Sequence, residues 1–196
     1  MIATDLKNSR HAAASIEPMF VERWSSRSFT YKPLTSDQIA SLFEAAHWAP
    51  SSGNRQPWLF VYATDGPDRE RLNSVLNEGN SRWAPKAPML MLVFARKVTE
   101  DGKNIHTAHF DTGAAWMSLA LQANRMGLNT RGMGGIDRDA AYDAAGVPRE
   151  TFESICAIAV GTRGTDSDLD PHIVKQNFAN DRKPAGEIAF KGRFSQ

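Results

Sequence analysis

Apolar and polar positions divide the chain into helical and extended stretches separated by punctuated loops. From Ser15 a short helix is predicted: Ser15 can cap, Pro18 falls in the first turn where its missing donor costs nothing, and Met19, Phe20 and Trp24 form a face. Thr35-Ser36-Asp37-Gln38 has the form of a capping box, and Ile39, Leu42, Phe43 and Ala46 recur behind it at helical spacing, so Ser36 to about His47 is predicted helical. Trp58 to Ala63, rich in aromatic and β-branched residues and followed by the turn Asp65-Gly66-Pro67, reads as a buried strand. A helix with a charged face follows from Pro67 to Asn77. Pro88 to Ala95 is apolar without alternation, which predicts a strand covered by helices on both faces.

His106 to Met126 is the longest helical pattern and is closed by Gly127. It is apolar nearly all round, so it needs a second wall, and a subunit interface would supply one. Leu128 to Gly135 carries Gly132, Gly134 and Gly135, which let backbone approach a ligand and offer amide donors. A dinucleotide fingerprint is absent there, because Asp137 stands where its last glycine belongs. Asp137 can cap a helix to about Ala145, stopped by Gly146. Ser154 to Gly161 reads as a third buried strand, with Cys156 as a small core residue. Thr162 to Pro184 is polar and irregular, and Glu187 to Phe194 alternates as an edge strand or one exchanged between subunits.

Two loops have the composition of ligand contacts. In His47 to Trp58, Pro50 and Pro57 bar regular hydrogen bonding at both ends, while Ser51, Ser52, Asn54 and Gln56 present hydroxyls and amides. A solvated connector would have the same composition. In Arg23 to Phe29, two arginines four apart are interleaved with Ser25, Ser26 and Ser28, which suits a bound anion or, equally, a solvated helix end. His106 and His109 are three apart but lack the cysteine or glutamate partners of a metal motif, so no metal is expected.

Composition narrows the classes. With 196 residues and 41% apolar content, a single domain over 1–196 is expected, residues 1–15 forming a poorly ordered N-terminal extension. The formal charge of +1 leaves no electrostatic footprint for nucleic acid or an anionic membrane, so any anion must be held locally. One cysteine and no apolar signal region point to a reducing cytoplasm, and no apolar run approaches a membrane span.

Taken in order, the loop motifs resemble the FMN-dependent nitroreductase family from about Ile16 to Phe194. The resemblance rests on Arg23-x-Ser25-x-Arg27 followed by Phe29, and on Ala49-Pro-Ser-Ser-x-Asn-x-Gln-Pro-Trp58. It continues through Asp111-x-Gly113-Ala114, Gly127-Leu128, Gly134-Gly135 before Asp137, and Arg182-Lys183-Pro184 with Glu187-Ile188. The resemblance implies an α+β fold, a three-layer sandwich with a mainly antiparallel sheet flanked by helices and a C-terminal strand exchanged between subunits. It also implies a homodimer with the active site at the interface.

By the same resemblance Arg23, Trp24 and Ser25 hold the flavin side, and Arg27 lies against N1 and the C2 carbonyl, where a guanidinium stabilises the charge of the reduced ring. Pro50, Ser51, Ser52 and Asn54 reach the partner's flavin, Gly134 and Gly135 face O4 and N5, and Arg182 meets the phosphate. Asn80 corresponds to a pyrimidine-edge contact, with Arg82 as the alternative. Many members carry an acidic residue where Gly134 stands, so its contact is missing here. The implied reaction is ping-pong hydride transfer from NADH or NADPH through FMN to a nitroaromatic, quinone or activated alkene, with no indispensable side-chain acid or base. The rival readings are a flavin-binding homodimer with little turnover, for storage or sensing, and a flavin reductase or reductive dehalogenase on the same scaffold.

Overall fold

The structure is a computed structural model and describes residues 8–194. Its centre is a four-stranded, wholly antiparallel sheet in the order β1-β2-β4-β3, made of β1 (Trp58–Ala63), β2 (Met89–Arg96), β3 (Leu128–Met133) and β4 (Phe152–Thr162). Seven α-helices accompany it among the described residues. They are α1 (Met19–Glu22), α2 (Ser36–His47), α3 (Gly66–Asn73), α4 (Glu78–Ser81), α5 (Ala108–Arg125), α6 (Arg138–Ala145) and α7 (Pro171–Val174).

The unbroken apolar run of β2 becomes two cores by simple strand alternation. Met89, Met91 and Val93 face α2 and α5, packing with Leu42, Ala46, Ala115, Leu119 and Ala123. Leu90, Leu92 and Phe94 face the opposite layer, with Leu72 of α3, Ala141 and Ala144 of α6, and Trp83. Helices therefore cover both faces, and the expected α+β three-layer sandwich is what forms. β2 is buried along nearly its whole length because it lies between β1 and β4 and beneath both layers.

Local signals account for the helix ends. Thr35 and Gln38 exchange side-chain and backbone hydrogen bonds in a reciprocal capping box at α2. Asp137 caps α6 by accepting from the amides of Asp139 and Ala140, and Gly146 ends it in the left-handed conformation at φ 66°.

Three expectations are corrected. The first helix is only Met19–Glu22, with Pro18 rather than Ser15 at its cap, since Pro18 already satisfies the start without a donor. Leu128 to Met133, to which no element was assigned, is a strand: six residues pair with β4, and Gly132 is accommodated because β3 is an edge paired on one side only. Glu187 to Phe194 forms no strand pairing among the described residues. Ala185–Glu187 is a 3-10 turn, and the residues after it are exposed and irregular, so the segment is not an edge strand of this sheet.

Candidate functional site

The segment after α1 supplies the first wall of a cavity. Arg23 to Phe29 is threaded between β3 and the chain that follows β4: Thr30 donates its amide to Thr162 O at 2.9 Å, and Gly164 donates to Ser28 O at 3.2 Å. Gly164 is obligatory there, because a Cβ would stand 2.9 Å from the Phe29 carbonyl carbon.

Buried amides and hydroxyls fix the segment further. Asn129 of β3 accepts from the Ser26 amide at 3.3 Å and donates to Ser26 O at 3.1 Å. Asn177, also buried, accepts from the Arg27 amide at 2.7 Å and donates to Ser28 Oγ at 2.9 Å and Asp166 Oδ1 at 2.8 Å. Ser28 also donates to Asp166. A network this fully satisfied leaves the intervening side chains of Ser25 and Arg27 little freedom.

Those side chains open onto a cavity of about 500 Å³, within the range of small-molecule sites. Its walls are Arg10, Ser25, Arg27, Arg131, Gly132, Gln176, Phe178, Asn180 and Arg182, so four guanidinium groups face it and no acidic residue among the described ones lines it. Arg27 donates to Gln176 O at 3.1 Å. Arg131 donates to Ser25 O and lies over the Trp83 ring, 5.5 Å from its centroid. Arg182 donates to Asn180 O and Asp181 O, both at 3.0 Å. Arg10 donates from Nε to Asn180 O at 2.6 Å and from Nη1 to Arg23 O at 3.0 Å.

Arg23 stands behind this wall. Its Nη1 donates to Ser25 Oγ at 3.3 Å, while its buried Nε has no hydrogen-bond partner among the described residues.

Burial and mutual repulsion make these cations unusually ready for an anion. Burial, with Arg27 adding to it, brings Arg131 down to about 10. Arg23 is held below the ordinary guanidinium range by burial and then by Arg10 and Arg182. Burial lowers Arg10, and Arg182 adds to it, with only Asp181 opposing; burial lowers Arg27. A buried cation with no paired charge is costly, and a bound anion removes that cost.

The structure therefore brings Ser25, Arg27 and Arg182 to one cavity, with Arg23 just behind it and Trp24 buried beneath the Arg163 guanidinium at 5.4 Å. Gly134 and Gly135 follow directly after β3, two and three residues beyond Gly132, where the Ile136 amide turns back to Gly134 O at 3.0 Å. No Cβ clash would occur at Gly134, whereas a Cβ on Gly135 would meet Asn77 Nδ2 at 2.4 Å. Asn80 donates from Nδ2 to Gly135 O at 2.9 Å, and Arg82 turns away to Glu78 and Asp170.

Pro50, Ser51, Ser52 and Asn54 are not among the residues lining the cavity. Their loop sits at the start of α5, where the Ser52 amide donates to Asp111 Oδ2 at 3.2 Å.

Two of the four cavity arginines had not stood out in the sequence. Arg131 carried one signal, a charge set between the apolar Leu128 and Met133. Arg10 carried none, since nothing in Asn8 to Ala14 announces a tertiary contact. Among the described residues no group of three His, Cys, Asp or Glu could hold a metal ion, and His109 instead meets Glu153 at 2.9 Å. Likewise no described helix is long and apolar enough to cross a membrane.

Comparison with known proteins identifies the family and the fold. The signature of the nitroreductase family matches residues 20–82 and 75–162. A crystal structure described as an oxidoreductase containing FMN is 37% identical, with a TM-score of 0.91 over 96% of this chain and 97% of its own. A protein of Streptomyces griseus subsp. griseus, provisionally named an NADH dehydrogenase/NAD(P)H nitroreductase, is 24% identical over 172 residues, 79% of this chain and 88% of its own. One from Rhodopseudomonas palustris with the same provisional name is 26% identical over 167 residues, 74% of this chain and 85% of its own. The family match includes Ser25, Arg27 and Arg131 of the cavity together with all four strands, and on that basis the chain belongs to the nitroreductase family.

Proposed function

We propose that the protein is an FMN-dependent oxidoreductase that carries reducing equivalents from NADH or NADPH to an electron-poor acceptor: a nitroaromatic, a quinone or an activated alkene. The observation that carries this reading is the cavity in which Arg10, Arg27, Arg131 and Arg182 converge without a carboxylate among its described lining residues. Such a site fits an elongated ligand with a phosphate at one end and an electron-accepting ring at the other. The 37% identical relative, described as containing FMN, supports the assignment. FMN, when bound, supplies hydride acceptance and donation, so donor and acceptor can use one seat in turn in a ping-pong sequence.

The chain's own residues bind and orient. Arg182 in the cavity wall and Arg23 just behind it are the cations for the phosphate. Ser25 is tethered by Arg23 and Arg131, so its hydroxyl is presented in one orientation. Arg27 and Arg131 place positive charge where a reduced ring gathers negative charge, which favours reduction. Gly134 leaves space for a stacked nicotinamide or acceptor.

The second subunit of a homodimer completes this site. Phe110 is 82% exposed and Met117 39% exposed on α5, and Trp48 at the end of α2 is 76% exposed. This apolar surface beside the 50–54 loop is the face that a second copy would cover, bringing Pro50, Ser51, Ser52 and Asn54 to the neighbouring flavin.

Anaerobic mixing of the purified yellow protein with NADH and with NADPH tests the reading. The flavin absorbance should bleach and return on addition of a quinone or nitroaromatic. A yellow protein that does not bleach with either donor would leave flavin binding without turnover; a colourless protein unaffected by added FMN would refute flavin binding as well.

A further inference from the structure

We propose that Arg10 is a specificity-determining residue of this cavity: it closes the anion site from the N-terminal side and, with Arg23 and Arg182, selects the phosphorylated flavin over the unphosphorylated one. This rests on the flavin reading for the identity of the ligand, but the anion site itself stands on geometry. Arg10 is brought there by its own segment. Asn8 donates to Val21 O at 2.9 Å, docking the segment on α1, and Arg10 then ties the carbonyl of Arg23 to that of Asn180. One side chain thus joins three stretches of chain that are distant in the sequence.

Guanidinium capacity remains after those bonds. The described bonds of Arg10 use Nε and Nη1, leaving the two protons of Nη2 for a ligand. Its charge is not neutralised by its surroundings: Arg182 and Arg23 repel it, and the single opposing carboxylate, Asp181, is the weakest of the influences on it. Three guanidinium groups held together at such a cost match a phosphomonoester, which carries close to two negative charges and three acceptor oxygens at neutral pH. A neutral ribityl chain would gain nothing from the third cation.

The full-length chain, stripped of flavin, and its Arg10→Gln variant should be titrated separately with FMN, riboflavin and inorganic phosphate. Arg10→Gln should weaken FMN about 10- to 100-fold, the loss expected for one charge-assisted contact, and leave riboflavin within about twofold. Inorganic phosphate should raise the thermal midpoint of the unaltered chain and do so much less in the variant. Arg10→Lys, which keeps charge but loses the fork, should fall between the two and makes the same comparison should Arg10→Gln not fold.

Equal losses for FMN and riboflavin, or none for FMN, would overturn the role of Arg10. Stabilisation by phosphate that depends on Arg10, in a chain that binds neither flavin, would sustain the anion site and refute the flavin reading. No response to any of the three ligands in the unaltered chain would refute both.

Discussion

The arginine-lined cavity and the loop from His47 to Trp58 both interrupt an apolar fold, yet their polar groups are used in opposite ways. In the loop the donors and acceptors are largely turned on one another. Ser51 Oγ accepts from the Gln56 amide at 3.0 Å, Gln56 Nε2 donates to Asn54, and buried Asp111 accepts from both Ser52 N and Thr107 Oγ1. Backbone strain accompanies this: Asn54 and Gln56 have φ of 54° and 47°, a region that residues other than glycine rarely adopt. In the cavity the backbone is satisfied but the charges are not. A rigid loop is thus a shaped surface for something that packs on it, while a cluster of repelling cations is a site that lacks its counter-charge.

Substitutions should separate the two regions. The largest effect is expected at Asn177, whose replacement by Leu leaves the Arg27 amide without its buried acceptor and removes one of the donors to Asp166. Urea unfolding should register a loss of about 3 kcal/mol, and FMN affinity should fall with it. If stability holds, the Asn177 network is not what fixes the Arg27 segment.

Arg182→Ala should do the reverse of a structural change. FMN should bind about 10- to 100-fold more weakly while riboflavin affinity and the unfolding free energy of the flavin-free chain, the latter within about 0.5 kcal/mol, stay as they were. Equal weakening of both flavins, read by fluorescence titration, would place Arg182 away from the phosphate.

Asp111→Ala belongs to the loop. It removes the acceptor of the Ser52 amide and should cost about 1–3 kcal/mol in urea unfolding, with the ratio of FMN to riboflavin affinity unchanged. Sedimentation of the same variant should detect a looser homodimer, and an intact dimer would separate the loop from the interface. The smallest change is expected from Gln56→Gly. Relief of the left-handed backbone offsets the lost amide bonds and the greater freedom of the unfolded chain, so stability should move by no more than about 0.5 kcal/mol. A loss well beyond that would show that the Gln56 amide, rather than the backbone geometry, holds the loop.

Much of the site was legible from the order of its motifs along the chain. Arg23, Ser25 and Arg27 alternate along a short stretch that suits an anion or a solvated helix end, and Arg182 stands in a polar, irregular segment, so it was the ordered resemblance to a family that marked them as site residues. Arg131 was obscured by the glycines after it, which drew attention to backbone amides in Leu128 to Gly135, whereas pairing with β4 makes Leu128–Met133 a strand. Asn177 looks like any polar residue in an irregular segment; its role exists only because Ser26, Ser28 and Asp166 converge on it. Arg10 is similar, with about 170 residues of chain between it and the Asn180 carbonyl it meets.

By itself the sequence determined the elements whose causes are local: the Thr35 capping box, the Asp137 cap with Gly146 behind it, the two-sided apolar run of β2 and the long helix α5. These follow from periodicity and from hydrogen bonds spanning three or four residues, which propensity and spacing encode directly. Only the tertiary structure decided that Leu128–Met133 is an edge strand, that Glu187 to Phe194 joins no strand among the described residues, and that Arg10 and Arg131 join the predicted arginines. Those outcomes depend on which distant backbone is left unpaired and which charges the packed sheet forces together, and neither quantity is written in any short window of the chain.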